Sequence, residues 1–152
     1  MYFITDLSAR LSLFFLWRGK RNGDVERQRK HLDKFLKRHA ERYPFSIAYD
    51  AKLMLAEDRC AEAMARFQQC QDVLPNDETS DTLYVRLFCR FFDGLAMGHS
   101  DRELQEIRKL ALSLEIDPLI GFLLTFPTEE EMSESIRRAG RQVVHVDASI
   151  DF

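Results

Sequence analysis

The residues able to do chemistry in this chain are cations and thiols rather than a catalytic set. Histidines stand at positions 31, 39, 99 and 145. His31 and His39 are eight apart on one helix-patterned stretch, but no Cys, Asp or Glu joins them at a ligand spacing. Zinc asks for four convergent donors, or three with an open position. The three cysteines, Cys60, Cys70 and Cys89, each fall inside an apolar helical pattern, where a reduced, buried thiol is expected. An odd count argues against a disulfide framework, so a cytoplasmic protein is expected, with association at a membrane surface left open. Glu129, Glu130 and Glu131 fall in the first turn of a helix pattern, where negative charge suits the helix dipole. There is no glycine-rich phosphate loop, nucleophile elbow or paired-carboxylate motif. Neither an enzyme nor a cofactor or metal is expected.

The cations are concentrated. Between positions 18 and 42, ten Lys or Arg stand against four Asp or Glu, a local charge of +6 in a chain whose net charge is −3, which leaves −9 elsewhere. Just before them lies the almost wholly apolar run Leu11–Trp17. One reading puts Phe14, Phe15 and Trp17 into the headgroup region of an anionic membrane, beside Arg18, Lys20, Arg21, Lys30 and Lys34. A second packs the run on the core, with Asp6 and Arg10 paired four apart. A third makes it the interface between copies of the chain. The run is too short to span a bilayer, and its basic residues follow it, opposite to a signal peptide. No aromatic residues interleave with the basic face, so nucleic acid is not an expected partner.

The elements that must position these groups follow from pattern. With 152 residues, 45% hydrophobic and 31% charged, six Gly and four Pro, the chain is expected to form one all-α domain over residues 1–140. Asp24 is the expected N-cap of a helix over 25–42, striped by Val25, Leu32, Leu36 and Tyr43. Two short helices between Pro44 and Pro75 are joined by Glu57-Asp58-Arg59. A helix over 80–97, apolar on most sides, ends at Gly98. Ser100 with Glu103 is a capping box for a helix over 101–115. Pro118–Phe126 reads as a short apolar helix, and Thr128 with Glu131 opens a last helix ending at Gly140. From 141 to 152 the alternation of Val144, Val146, Ala148, Ile150 and Phe152 with polar residues reads as an extended or disordered tail.

The pair from Pro44 to Pro75 resembles a tetratricopeptide repeat (TPR), a helix–turn–helix unit of about 34 residues ending near a proline. Aligned on Pro75, its small positions fall on Ala51, Ala63 and Cys70 and its large ones on Met54 and Phe67, while Ile47 replaces the usual Trp and Asp50 stands where a Leu is usual. The next pair departs from the period, since Pro118 lies 43 positions after Pro75. The resemblance implies a short TPR-like α-solenoid of antiparallel helix pairs, about seven helices, acting as a protein–protein interaction adaptor. In that family the first helix of each pair lines the groove. Carried over, this places Ala48, Tyr49, Lys52 and Ala56 in it. It stacks Lys52 under Arg86, 34 positions on, with Arg90 a turn further. Such a surface suits an acidic peptide or a terminal carboxylate. The tail from His145 to Phe152, carrying Asp147 and Asp151, is then expected to be able to lie in that groove.

Overall fold

A computed structural model describes residues 7–128, and among these residues the chain is all-helical, with no strand. Its helices are α1 (Leu7–Arg21), α2 (Val25–His39), α3 (Phe45–Ala56), α4 (Cys60–Val73), α5 (Ser80–Ala96), α6 (Asp101–Leu112) and α7 (Pro118–Leu123). Asp6, the helix expected after Thr128 and the tail 141–152 lie outside the described residues.

The helices stop where local chemistry stops them. Asp24 accepts from the Arg27 N–H at 3.0 Å and so opens α2. Ser100 accepts from the Glu103 N–H at 3.3 Å and opens α6. The forward half of the expected capping box is made, while the Glu103 carboxylate lies 3.7 Å from His99 Nδ1. α2 ends at His39, three residues short of expectation, with Ala40 as its C-cap. The Tyr43 N–H still returns to the His39 carbonyl, closing that end.

α1, α3 and α5 end alike. Each runs into one residue with positive φ: Gly23 (66°), Asp58 (59°) and Gly98 (75°). In each case the next N–H reaches back five residues, Asp24 to Gly19, Arg59 to Met54 and His99 to Gly94, at 3.0, 2.9 and 2.9 Å. This left-handed stop satisfies carbonyls the helix leaves open. The three stops are 35 and then 40 positions apart.

Packing follows chain order. Each helix from α1 to α5 packs on the next, and α3 also meets α5. α1 and α2 come close at Gly19, where a Cβ would stand 3.2 Å from Gln28 Cγ. The core is rich in rings: Phe67 of α4 stacks on Phe92 of α5 with centroids 5.1 Å apart and planes 3° from parallel. Such pairs add specific geometry to the burial of large apolar area. Cys70 and Cys89 are buried free thiols and Cys60 is half-buried, with Cys70 Sγ donating to the Pro44 carbonyl.

One charged cluster is built into this core. Asp50 is only 3% exposed. It takes Arg29 of α2 at 2.5 Å on one oxygen and Arg66 of α4 at 2.7 Å on the other. Arg29 also pairs with Glu57 and, at 3.1 Å, with Asp33. A buried carboxylate is tolerated when its charge is answered on both oxygens. That accounts for an Asp at so buried a position of α3.

Candidate functional site

The largest concentration of polar contacts to main chain lies around residues 117–127, which cross one face of the helix stack. Asp117 caps α7 with its own side chain, accepting from Leu119 N–H at 2.9 Å. Its backbone N–H donates to Asp81 Oδ1 at the start of α5, also at 2.9 Å. α7 then runs only to Leu123 rather than to Phe126 as expected. Beyond it, side chains from other helices take the carbonyls left open at its end, among them that of Phe122, which a helix reaching Phe126 would have used.

Lys20 of α1 donates to the carbonyl of Phe122, to that of Leu123 at 3.3 Å and to Thr125 Oγ1 at 3.1 Å. Tyr84 of α5 donates to the Leu124 carbonyl at 2.6 Å. Lys52 of α3 donates to the Thr125 carbonyl at 3.1 Å, and Arg108 of α6 to that of Pro127 at 2.9 Å. Four helices thus hold five carbonyls of one short segment. Phe126 supplies the anchor: its ring meets Tyr84, Phe88 and Phe91 edge-on, with centroids 5.5, 5.3 and 5.3 Å away. At the other end Trp17 meets Phe122 at 6.0 Å.

The electrostatics follow from this closure. Burial, and then the charge of Lys52, bring the Lys20 ammonium down to about 7. Burial pushes the Tyr84 phenol up to about 12, which keeps it a neutral donor to Leu124.

The residues expected to line a groove do different things. Lys52 holds Thr125, and its ammonium stands 5.9 Å from the centre of the Phe88 ring. Arg86 donates to the Pro75 carbonyl at 3.3 Å, so it engages the α4–α5 connection rather than the segment held by Lys52. Arg90 is exposed. Tyr49 is 2% exposed and its hydroxyl donates to Gln28 Oε1 of α2. Burial lifts its pKa well above the ordinary phenol value. Ala48 is fully buried and Ala56 exposed. Asp93 accepts from Gln71 at 2.6 Å.

The N-terminal candidates also divide. Phe14, Phe15, Arg18, Arg21, Lys30 and Lys34 are exposed, Trp17 is half-buried and Lys20 is turned into the contacts above. Lys20, Tyr84, Arg108 and Phe126 were not singled out by sequence reasoning as parts of one site. Only the apolar character of 118–126 pointed there.

Among the described residues no group of three His, Cys, Asp or Glu stands close enough to hold a metal ion. No family model, curated protein or solved structure matches this chain.

Proposed function

We propose that the chain is a non-catalytic protein–protein interaction adaptor, a short TPR-like solenoid of antiparallel helix pairs that holds a partner peptide on the α1/α3/α5 face. The observation that carries this reading is how residues 122–127 are held. Side-chain donors from four helices take main-chain carbonyls, and one ring fills an aromatic pocket. This is the contact set an extended peptide would make, main chain for affinity and an anchor for choice. The solenoid reading is supported by the like stops of α1, α3 and α5, the first near 34 residues from the second, and by the packing of α3 on α5. On this proposal residues 117–127 are the resident occupant of the face, in the role the sequence had suggested for the tail 145–152.

The test is a fluorescent synthetic peptide with the sequence of residues 117–128, titrated into the full chain. It should bind a Phe126→Ala chain, checked for native helicity by circular dichroism, more tightly than it binds the wild type. A peptide with Ala at its own second Phe should bind neither. A helical Phe126→Ala chain that ignores the peptide would sink the proposal.

A further inference from the structure

α1 has two faces, and only one of them belongs to the fold. Ala9, Leu13 and Leu16 are buried at 0, 3 and 1% exposure, whereas Leu7, Leu11, Phe14 and Phe15 are 70, 51, 51 and 37% exposed. Positions 7, 11, 14 and 18 fall on one line of a helix, so Arg18 continues the apolar stripe, and Arg10 and Arg21 flank it, all three exposed. An outward stripe of this kind needs a covering medium in a way that a single exposed Leu does not.

The stripe is joined to the basic face of α2. Phe15 stacks on His31 with centroids 5.1 Å apart and planes 16° from parallel. Around His31 stand Lys34, Arg27 and Lys30, whose charges, after burial, hold the imidazole below its ordinary value. Apolar ridge and cationic field are therefore one continuous surface. The local +6 of residues 18–42 against −9 elsewhere makes the molecule electrically lopsided, which orients it toward an anionic plane. No helix among the described residues is long and apolar enough to cross a membrane, so the helix would lie in the interface.

We infer that the α1 surface of Leu11, Phe14 and Phe15, with Arg18, Lys30 and Lys34 beside it, docks on an anionic phospholipid bilayer. A second copy of the chain fits this surface less well. A two-fold pairing of α1 on α1 brings Arg10, Arg18 and Arg21 into a seam that already holds their like, whereas lipid phosphates and carboxylates answer every one of these charges.

The experiment is co-sedimentation of the full chain with phosphatidylcholine vesicles, with and without phosphatidylserine, at low and high salt. Binding should require phosphatidylserine and weaken with salt. Because these side chains are exposed, Leu11→Ser and Phe14→Ser should each leave helicity unchanged and weaken binding by about tenfold, the value of burying one such side chain. Lys30→Glu with Lys34→Glu should weaken it similarly. Three results would overturn the inference. One is failure to bind phosphatidylserine vesicles. Another is binding that responds to charge reversal but not to Leu11→Ser or Phe14→Ser, which marks a polyanion surface. The last is a dimer by analytical ultracentrifugation that Phe14→Ser dissociates while vesicles are ignored.

Discussion

The ammonium of Lys20 donates to the carbonyl of Phe122, 102 positions later in the chain, and rests 4.6 Å from the centre of the same residue's ring. Helix α1 is thereby tied to the end of α7, and the charge that does it is largely removed from water. Burial is the larger cause of its lowered pKa and Lys52 the second.

This gives a pH dependence with a definite sign. In the unfolded chain Lys20 titrates near its ordinary 10.5, and in the folded one near 7. Between those values the unfolded state holds the extra proton, so stability from this group rises with pH across the window and is flat below it. Urea denaturation of the wild type and Lys20→Met at pH 6.5 and 8.5 isolates the effect, because other groups cancel in the difference. Stability of the wild type relative to the variant should grow at the higher pH. Parallel behaviour would refute it.

Phe126 is the anchor of the segment that Lys20 holds. Truncation to Ala empties an aromatic pocket at a residue only 4% exposed and should cost about 3–5 kcal/mol by denaturant unfolding. Tyr84→Phe keeps the ring and strands the Leu124 carbonyl, which should cost about 1–3 kcal/mol. If Tyr84→Phe is neutral, water reaches that carbonyl and the segment is held less tightly than its geometry indicates.

Asp50→Leu puts an apolar side chain at a buried position, yet should destabilise the chain. It leaves Arg66 facing a buried apolar side chain while Arg29 keeps Glu57 and Asp33. The expected loss is about 3 kcal/mol, the lower end for breaking a buried pair. A variant as stable as wild type would show the cluster to be dispensable.

The left-handed stops make opposite predictions at two sites. Gly98→Ala forces a Cβ into positive φ and should cost about 1 kcal/mol. Asp58→Gly removes such a Cβ at φ 59° and should gain a few tenths to about 1 kcal/mol, part of it lost to the freer unfolded chain. Thermal melts of both variants check the pair. Equal signs would contradict the account.

Local features were legible in the sequence because local chemistry decides them. Asp24, Ser100, Gly98 and the turn at Asp58 bound their helices. Three- and four-residue spacing marked Leu32 of α2, Ala63, Phe67 and Cys70 of α4, and Leu104 and Ala111 of α6 as inward, although Val25 and Leu110 of the same stripes are exposed. What spacing does not carry is which neighbour arrives from elsewhere. Tyr49 was placed on an outward line of α3, but Gln28 of α2 covers it. Lys52 and Arg86 are 34 positions apart, yet each is drawn to a different carbonyl. The early end of α7 has the same origin: Lys20 takes the Phe122 carbonyl that a helix reaching Phe126 would need, and it lies 102 positions away. Of the site itself, only the apolar run 118–126 is legible in the sequence, where Lys52 is expected to meet an acidic ligand rather than the Thr125 carbonyl. The sequence places Lys20 at an anionic membrane surface and Tyr84 among the apolar residues of helix 80–97, and Arg108 carries no local signal.

The tie between α1 and α7 also sets an order of folding. From α1 to α6 every helix packs on its neighbour in sequence, with α3 on α5 a more distant pair, so most of these contacts form across short loops and can assemble step by step from any starting pair. The Lys20–Phe122 contact closes a span of 102 positions, and its entropic cost is met only once the intervening helices have shortened the loop. Docking of 117–127 is therefore a late event, with little weight in the folding transition state. Substitutions at Phe126 should chiefly speed unfolding, whereas those at Phe67 or Phe88 should slow folding. The segment that closes the structure is the one released first when it opens.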